Sequence, residues 1–222
     1  MRLADADDRT TRARVRDTAI EVFARDGFTA TVRTIAEAAG VSPGLVIHHF
    51  GSKEKLRAEC DEHVLRQTRE ANEQGLDEQA GPHAFAGFVR RMEDIDSDGP
   101  RIVYLIRSLQ AGGEMARQLL AHLAEDAEQT FRKGVAAGTI RPSRDEAARA
   151  RYMVAQSMGA LLVDVVMNPP ADWSDAGVIL QSYVDRVVLP AAELAVHGVM
   201  TDESLLDAVL AYREERNDHD SD

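Results

Sequence analysis

The chain has 222 residues, enough for one large domain or two modest ones with a real buried core. Its single cysteine, Cys60, excludes an intrachain disulfide and a cysteine-based zinc site, and suits a reducing compartment such as the cytoplasm. The net charge of −12 by itself disfavours nucleic acid as a partner, but residues 1–57 carry ten basic and eight acidic side chains (+2) whereas residues 58–222 carry sixteen and thirty (−14), so only the N-terminal quarter can approach DNA without strong repulsion.

The first twenty residues hold five arginines and Asp5, Asp7 and Asp8, with no apolar run of the secretory kind, and the longest later apolar candidate, 158–167, is broken by Asp164. No membrane partner is expected. No strand-like alternation persists, and apolar residues recur at i, i+3, i+4 and i+7 in a sequence rich in Ala, Leu, Arg and Glu, which predicts an all-α protein of about ten helices. The first starts near Thr10 or Thr11, sets Val15, Ala19, Val22 and Phe23 on one face, and ends at Gly27. A short helix follows Thr31 with Ile35, Ala36 and Ala39 inward. Gly40 breaks it, Ser42 caps the next with Pro43 at its first position, and that third helix runs to Phe50. After Gly51, Ser52 caps a long helix over 53–78. Glycine and proline clusters then delimit helices over 82–95, 100–111, 114–137, 143–167, 174–197 and 201–215, before a short acidic tail over 217–222.

Residues 31–50 carry the functional signal. Small Ala36, the turn residue Gly40, and Val41 and Val46 filling an angle describe two helices that cross steeply, the second of which would project into a major groove. A generic αα-corner needs the same small residues, so spacing alone leaves both readings open. The run Thr31-Val32-Arg33-Thr34-Ile35-Ala36, then Ala39-Gly40-Val41-Ser42, then His48-His49-Phe50-Gly51-Ser52-Lys53-Glu54-Lys55-Leu56 resembles the N-terminal signature of the TetR (tetracycline-repressor-like) family over residues 9–57.

That resemblance implies a DNA-binding domain over 1–57, a helical ligand-binding and dimerisation domain over 58–222, a homodimer, double-stranded operator DNA as partner, and a small-molecule effector; it implies no cofactor or metal, and no enzymatic activity. By position, Thr31, Arg33, Ser42 and Lys53 are expected at phosphates, and Pro43, Gly44, Leu45 and His48 at base edges. The family usually has tyrosine where this chain has Ile47, so a hydroxyl aimed at a phosphate is missing. The arginines of the N-terminal segment, Arg2, Arg9 and Arg12, either reach an adjacent groove or belong to a frayed, solvated end.

In the larger domain, Val154, Met158, Leu161, Leu162 and Val165 form an apolar face on one helix, and Leu180, Val184, Val187, Val188 and Ala191 on another. These fit either an intramolecular core or, as the resemblance implies, a two-fold four-helix interface. For an effector pocket, Phe85, Phe88, Met92, Tyr104, Ser108, Met115, Tyr152 and Gln156 combine apolar walls with a few polar groups, and Arg107 would pair with an anionic ligand. Two enzyme-like signals are weak. Residues 155–159 resemble a nucleophile elbow without its first glycine, and Glu59 and His63 share a helix face at i, i+4.

Overall fold

The computed structural model describes residues 2–78 and 98–219, with side chains placed over 10–71 and 98–216. Among the described residues there are nine helices and no strand: α1 (Arg2–Asp26), α2 (Val32–Ala38), α3 (Pro43–Phe50), α4 (Lys53–Glu78), α5 (Gly99–Ala111), α6 (Gly113–Ala136), α7 (Glu146–Met167), α8 (Ala176–His197) and α9 (Ser204–His219). The expected helix over 82–95, with Phe85, Phe88 and Met92, lies outside the described residues. The chain divides into two compact units, one up to Gln181 and one from Ser182.

Local chemistry explains the boundaries. Thr31, Ser42 and Ser52 each turn a hydroxyl oxygen onto a backbone N–H of the following turn, those of Thr34, Leu45 and Lys55, and so cap α2, α3 and α4. α1 begins eight residues before the expected Thr10. α7 starts at Glu146 rather than 143, because the Asp145 carboxylate caps it by accepting from Ala148 N at 2.9 Å.

In the first unit α1 is central. It packs on α2 and α3, on α4, and along α5, so residues on either side of position 57 share one core. Val15, Ala19, Val22 and Phe23 are buried as the periodicity predicts, and Leu56, Cys60 and Val64 from α4 join them. The Phe23 ring lies 5.6 Å from Phe28 and 6.3 Å from Tyr104, and Phe28 and Tyr104 meet edge-on at 5.2 Å. Arg107 of α5 donates to the carbonyls of Ala24 and Arg25, both at 3.2 Å, at the negative end of α1. The same guanidinium lies 3.6 Å from the centre of the Trp173 ring, on the connection between α7 and α8. No helix among the described residues is long and apolar enough to cross a membrane.

Candidate nucleic-acid interface

The turn between α2 and α3 is built from backbone hydrogen bonds and one left-handed residue. Ala39 N donates to Ile35 O at 2.9 Å and Val41 N to Ala36 O at 2.9 Å, while Gly40 takes φ +66°, a conformation that side chains with a Cβ resist. Ile35 and Ala36 of α2 and Val46 and Phe50 of α3 face inward and are buried. This fixes the opposite side of α3 toward solvent. Pro43, Gly44, Ile47 and His48 are exposed, together with Thr31, Arg33 and Ser42; Leu45 and Lys53 are half-buried. All eight residues expected to meet DNA therefore reach the exterior. Two of the expected phosphate contacts also act as caps, yet a hydroxyl that accepts from a backbone N–H keeps its own proton to donate.

His49 sits half-buried beside Phe50, with the two rings 6.3 Å apart, whereas the exposed His48 lies across α3 from the core. Arg12 is engaged within the protein. Its Nε donates to Glu59 at 3.2 Å and its guanidinium lies 5.2 Å from the Phe50 ring centre, so it ties α1, α3 and α4 together. That pairing also engages Glu59, and His63 meets Arg66 instead, Nη2 to Nδ1 at 2.7 Å. The segment 155–159 lies inside α7, away from any strand-to-helix turn.

Of the residues expected to line a pocket, those described are dispersed. Tyr104 is buried, with its hydroxyl donating to Asp61 at 2.7 Å, and with Arg107 it forms the seam between α1, α4 and α5. Ser108 is fully buried and its Oγ has no hydrogen-bond partner among the described groups. Tyr152 and Gln156 are exposed on α7. Met115 lines a cleft of about 560 Å³ between α4 and α6, shared with Asp61, Leu65, Arg66, Arg69 and Glu114. Sequence spacing missed those α4 residues, although Leu65, Arg66 and Arg69 recur at i, i+1 and i+4 along one strip of that helix.

Burial raises the Asp61 carboxyl above its ordinary value of 3.8, against the opposing pull of the Tyr104 hydroxyl and Arg57. Folded Asp61 therefore holds its proton more readily than unfolded, a contribution present below that ordinary value and lost as pH rises through the raised one. Asp61→Asn keeps an acceptor for Tyr104 and removes the charge. Its urea midpoint is expected to gain on that of the parent chain as pH rises above that ordinary value; parallel midpoints on raising the pH would contradict this.

The expected faces of α7 and α8 are partly turned inward. Leu161, Val165 and Leu180 are buried within the protomer, Val154, Met158, Leu162, Val184, Val187 and Val188 are half-buried, and Ala191 is exposed. The other side of α7 carries Tyr152, Val163, Val166 and Met167, at 67, 63, 72 and 73% exposure, with Gly159 among them open to its surroundings. Residues 152, 159, 163 and 166 fall within one narrow stripe at 100° per residue.

Residues 15–60 match the family described as bacterial regulatory proteins, tetR family, and residues 96–201 match the tetracyclin repressor-like C-terminal domain. The HTH-type transcriptional regulatory protein RaaS of Mycobacterium tuberculosis is 40% identical over 214 residues, covering 96% of this chain and 97% of that one. Two solved structures share the fold. A TetR transcriptional regulator from Chloroflexus aurantiacus superposes with a TM-score of 0.59 at 20% identity, covering 82% of this chain and 97% of that one. The Bacillus subtilis regulator FadR, solved in complex with stearoyl-CoA, gives 0.57 at 22% identity, covering 85% and 99%. The chain belongs to the TetR family of helix-turn-helix transcriptional regulators, a family of DNA-binding proteins rather than of enzymes.

Proposed function

We propose that the chain is a homodimeric repressor that reads a near-palindromic operator with α3 and is released by a small molecule. The outward face of α3, held by Gly40 and by the burial of Val46 and Phe50, is the observation that carries this reading. Residues 1–57 serve as the DNA-binding part and 58–222 as the sensing and dimerising part, in the cytoplasm. Thr31, Arg33, Ser42 and Lys53 hold the phosphates, and Pro43, Gly44, Leu45 and His48 meet the bases.

The effector enters the cleft between α4 and α6, whose volume of about 560 Å³ and mixed apolar and charged lining suit a small ligand. The stearoyl-CoA bound to the FadR neighbour supports a ligand in a fold of this kind. Asp61 touches both the cleft and Tyr104, which packs on the α1 core, so a ligand there biases the seam on which the α2–α3 pair is mounted.

The dimer forms on the outward stripe of α7, where Tyr152, Val163, Val166 and Met167 leave apolar area in water around an accessible Gly159. Replacing Val163 and Val166 together by glutamate sets four carboxylates in a two-fold interface. Sedimentation velocity is expected to show the parent chain as a dimer and this variant as a monomer, with operator affinity reduced at least tenfold. A variant that remains dimeric would move the interface elsewhere. A compound that raises the melting midpoint should release operator DNA in the same titration; stabilisation without release would remove the effector from this account.

A further inference from the structure

Along α3 the groups able to read a base by hydrogen bonding are few. Ser42, at the cap, is assigned to a phosphate, Pro43, Gly44 and Leu45 offer no polar side chain, and His48 is the first exposed ring. Between them stands Ile47, at 42% exposure, one position past the buried Val46. Gly44 lies one turn earlier on the same side, and a Cβ built there would meet nothing nearer than Ser42 Oγ at 3.9 Å. Helical side chains lean toward the N-terminus and cover the turn before their own. Gly44, Ile47 and His48, at spacings i, i+3 and i+4, share the outward side of α3, and with Gly44 bare and open Ile47 is the exposed branched aliphatic group there.

We propose that Ile47 is a specificity-determining residue that reads the 5-methyl group of a thymine in the major groove. Thymine is the base that presents a methyl group there, and a branched aliphatic side chain without donor or acceptor discriminates by apolar contact alone. Withdrawing a contact of one methyl group weakens binding about fourfold, by the transfer free energy of a buried CH₂. The inference rests on operator reading by α3 and adds the chemical group that one exposed side chain selects.

The test uses the full-length chain and an operator enriched from a random duplex pool. Each thymine is replaced in turn by uracil, which lacks only the 5-methyl group, and affinity is measured for the parent chain, Ile47→Ala and the shorter Ile47→Val. One thymine per half-site is expected to show a loss of about fourfold in the parent chain when replaced, and no loss in Ile47→Ala, while every other thymine responds equally in both. Ile47→Val, with its β-branch intact, is expected to keep part of the response. Ile47→Ala that retains the parent response at every thymine, or a parent chain indifferent to all of them, overturns the inference while leaving operator binding in place. Failure of the pool to enrich any sequence overturns both.

Discussion

Phe23→Ala is expected to lower the folding stability by about 3–5 kcal/mol, the cost of emptying a buried aromatic site. The side chain has no exposed surface, and its ring faces Phe28 at 5.6 Å and Tyr104 at 6.3 Å. The cavity would open where α1 meets the loop before α2 and the middle of α5. Those neighbours are themselves tied down: Tyr104 to Asp61, and Phe28 beneath the Arg57 guanidinium at 3.6 Å. They cannot collapse freely into the space. In a chain of this size each kcal/mol moves the melting midpoint by about 2–4 °C, so thermal unfolding should fall by roughly 6–20 °C. A shift smaller than the effect of an ordinary surface substitution would mean that the aromatic cluster does not join α1 to α5 as described.

Gly40→Val is expected to remove operator binding with a smaller loss of stability. The glycine holds φ +66°, and a Cβ there would meet nothing within 4 Å, so the cost is that of the backbone and not of crowding. A β-branched residue forced into that region pays about 1–2 kcal/mol. If the turn relaxes to escape it, the Val41-to-Ala36 hydrogen bond breaks and α3 changes direction relative to α2. Operator affinity should fall more than tenfold, the factor that about 1.4 kcal/mol represents. Gly40→Asn should fall less, because asparagine tolerates the left-handed conformation. Urea unfolding paired with DNA titration separates the two effects, and a valine variant that binds like the parent would show that the turn does not set the direction of α3.

The helix-turn-helix was legible in the sequence because its parts are local. Thr31, Ser42 and Ser52 cap, Gly27, Gly40 and Gly51 stop, and a buried residue follows each at helical spacing. The extension of α1 was missed because residues 2–9, with three aspartates and two arginines against one leucine, bear no apolar periodicity. Tyr104, Arg107 and Ser108 illustrate a different difficulty. A tyrosine and an arginine on one turn suit a ligand cavity or a junction between helices equally well. Only tertiary structure reveals that Arg107 satisfies the end of α1 and that Tyr104 reaches Asp61. On α7 the periodicity found the more apolar face, and a monomer spends that face on its own core, as Leu161 and Val165 do. The opposite face, with Tyr152, Ala155, Gln156, Gly159 and Val163, is diluted by small and polar residues and so gives a weaker signal.

Enrichment of a random duplex pool by the full-length chain, followed by affinity measurements across salt, bears most directly on α3 as the reading element. The expected product is an inverted repeat whose half-site centres lie a whole number of turns apart, about 34–36 Å for one turn. Its affinity should decline linearly with salt on a logarithmic scale as phosphate counterions are released. An unenriched pool, or binding that ignores both sequence and salt, would contradict the assignment of α3 to the major groove.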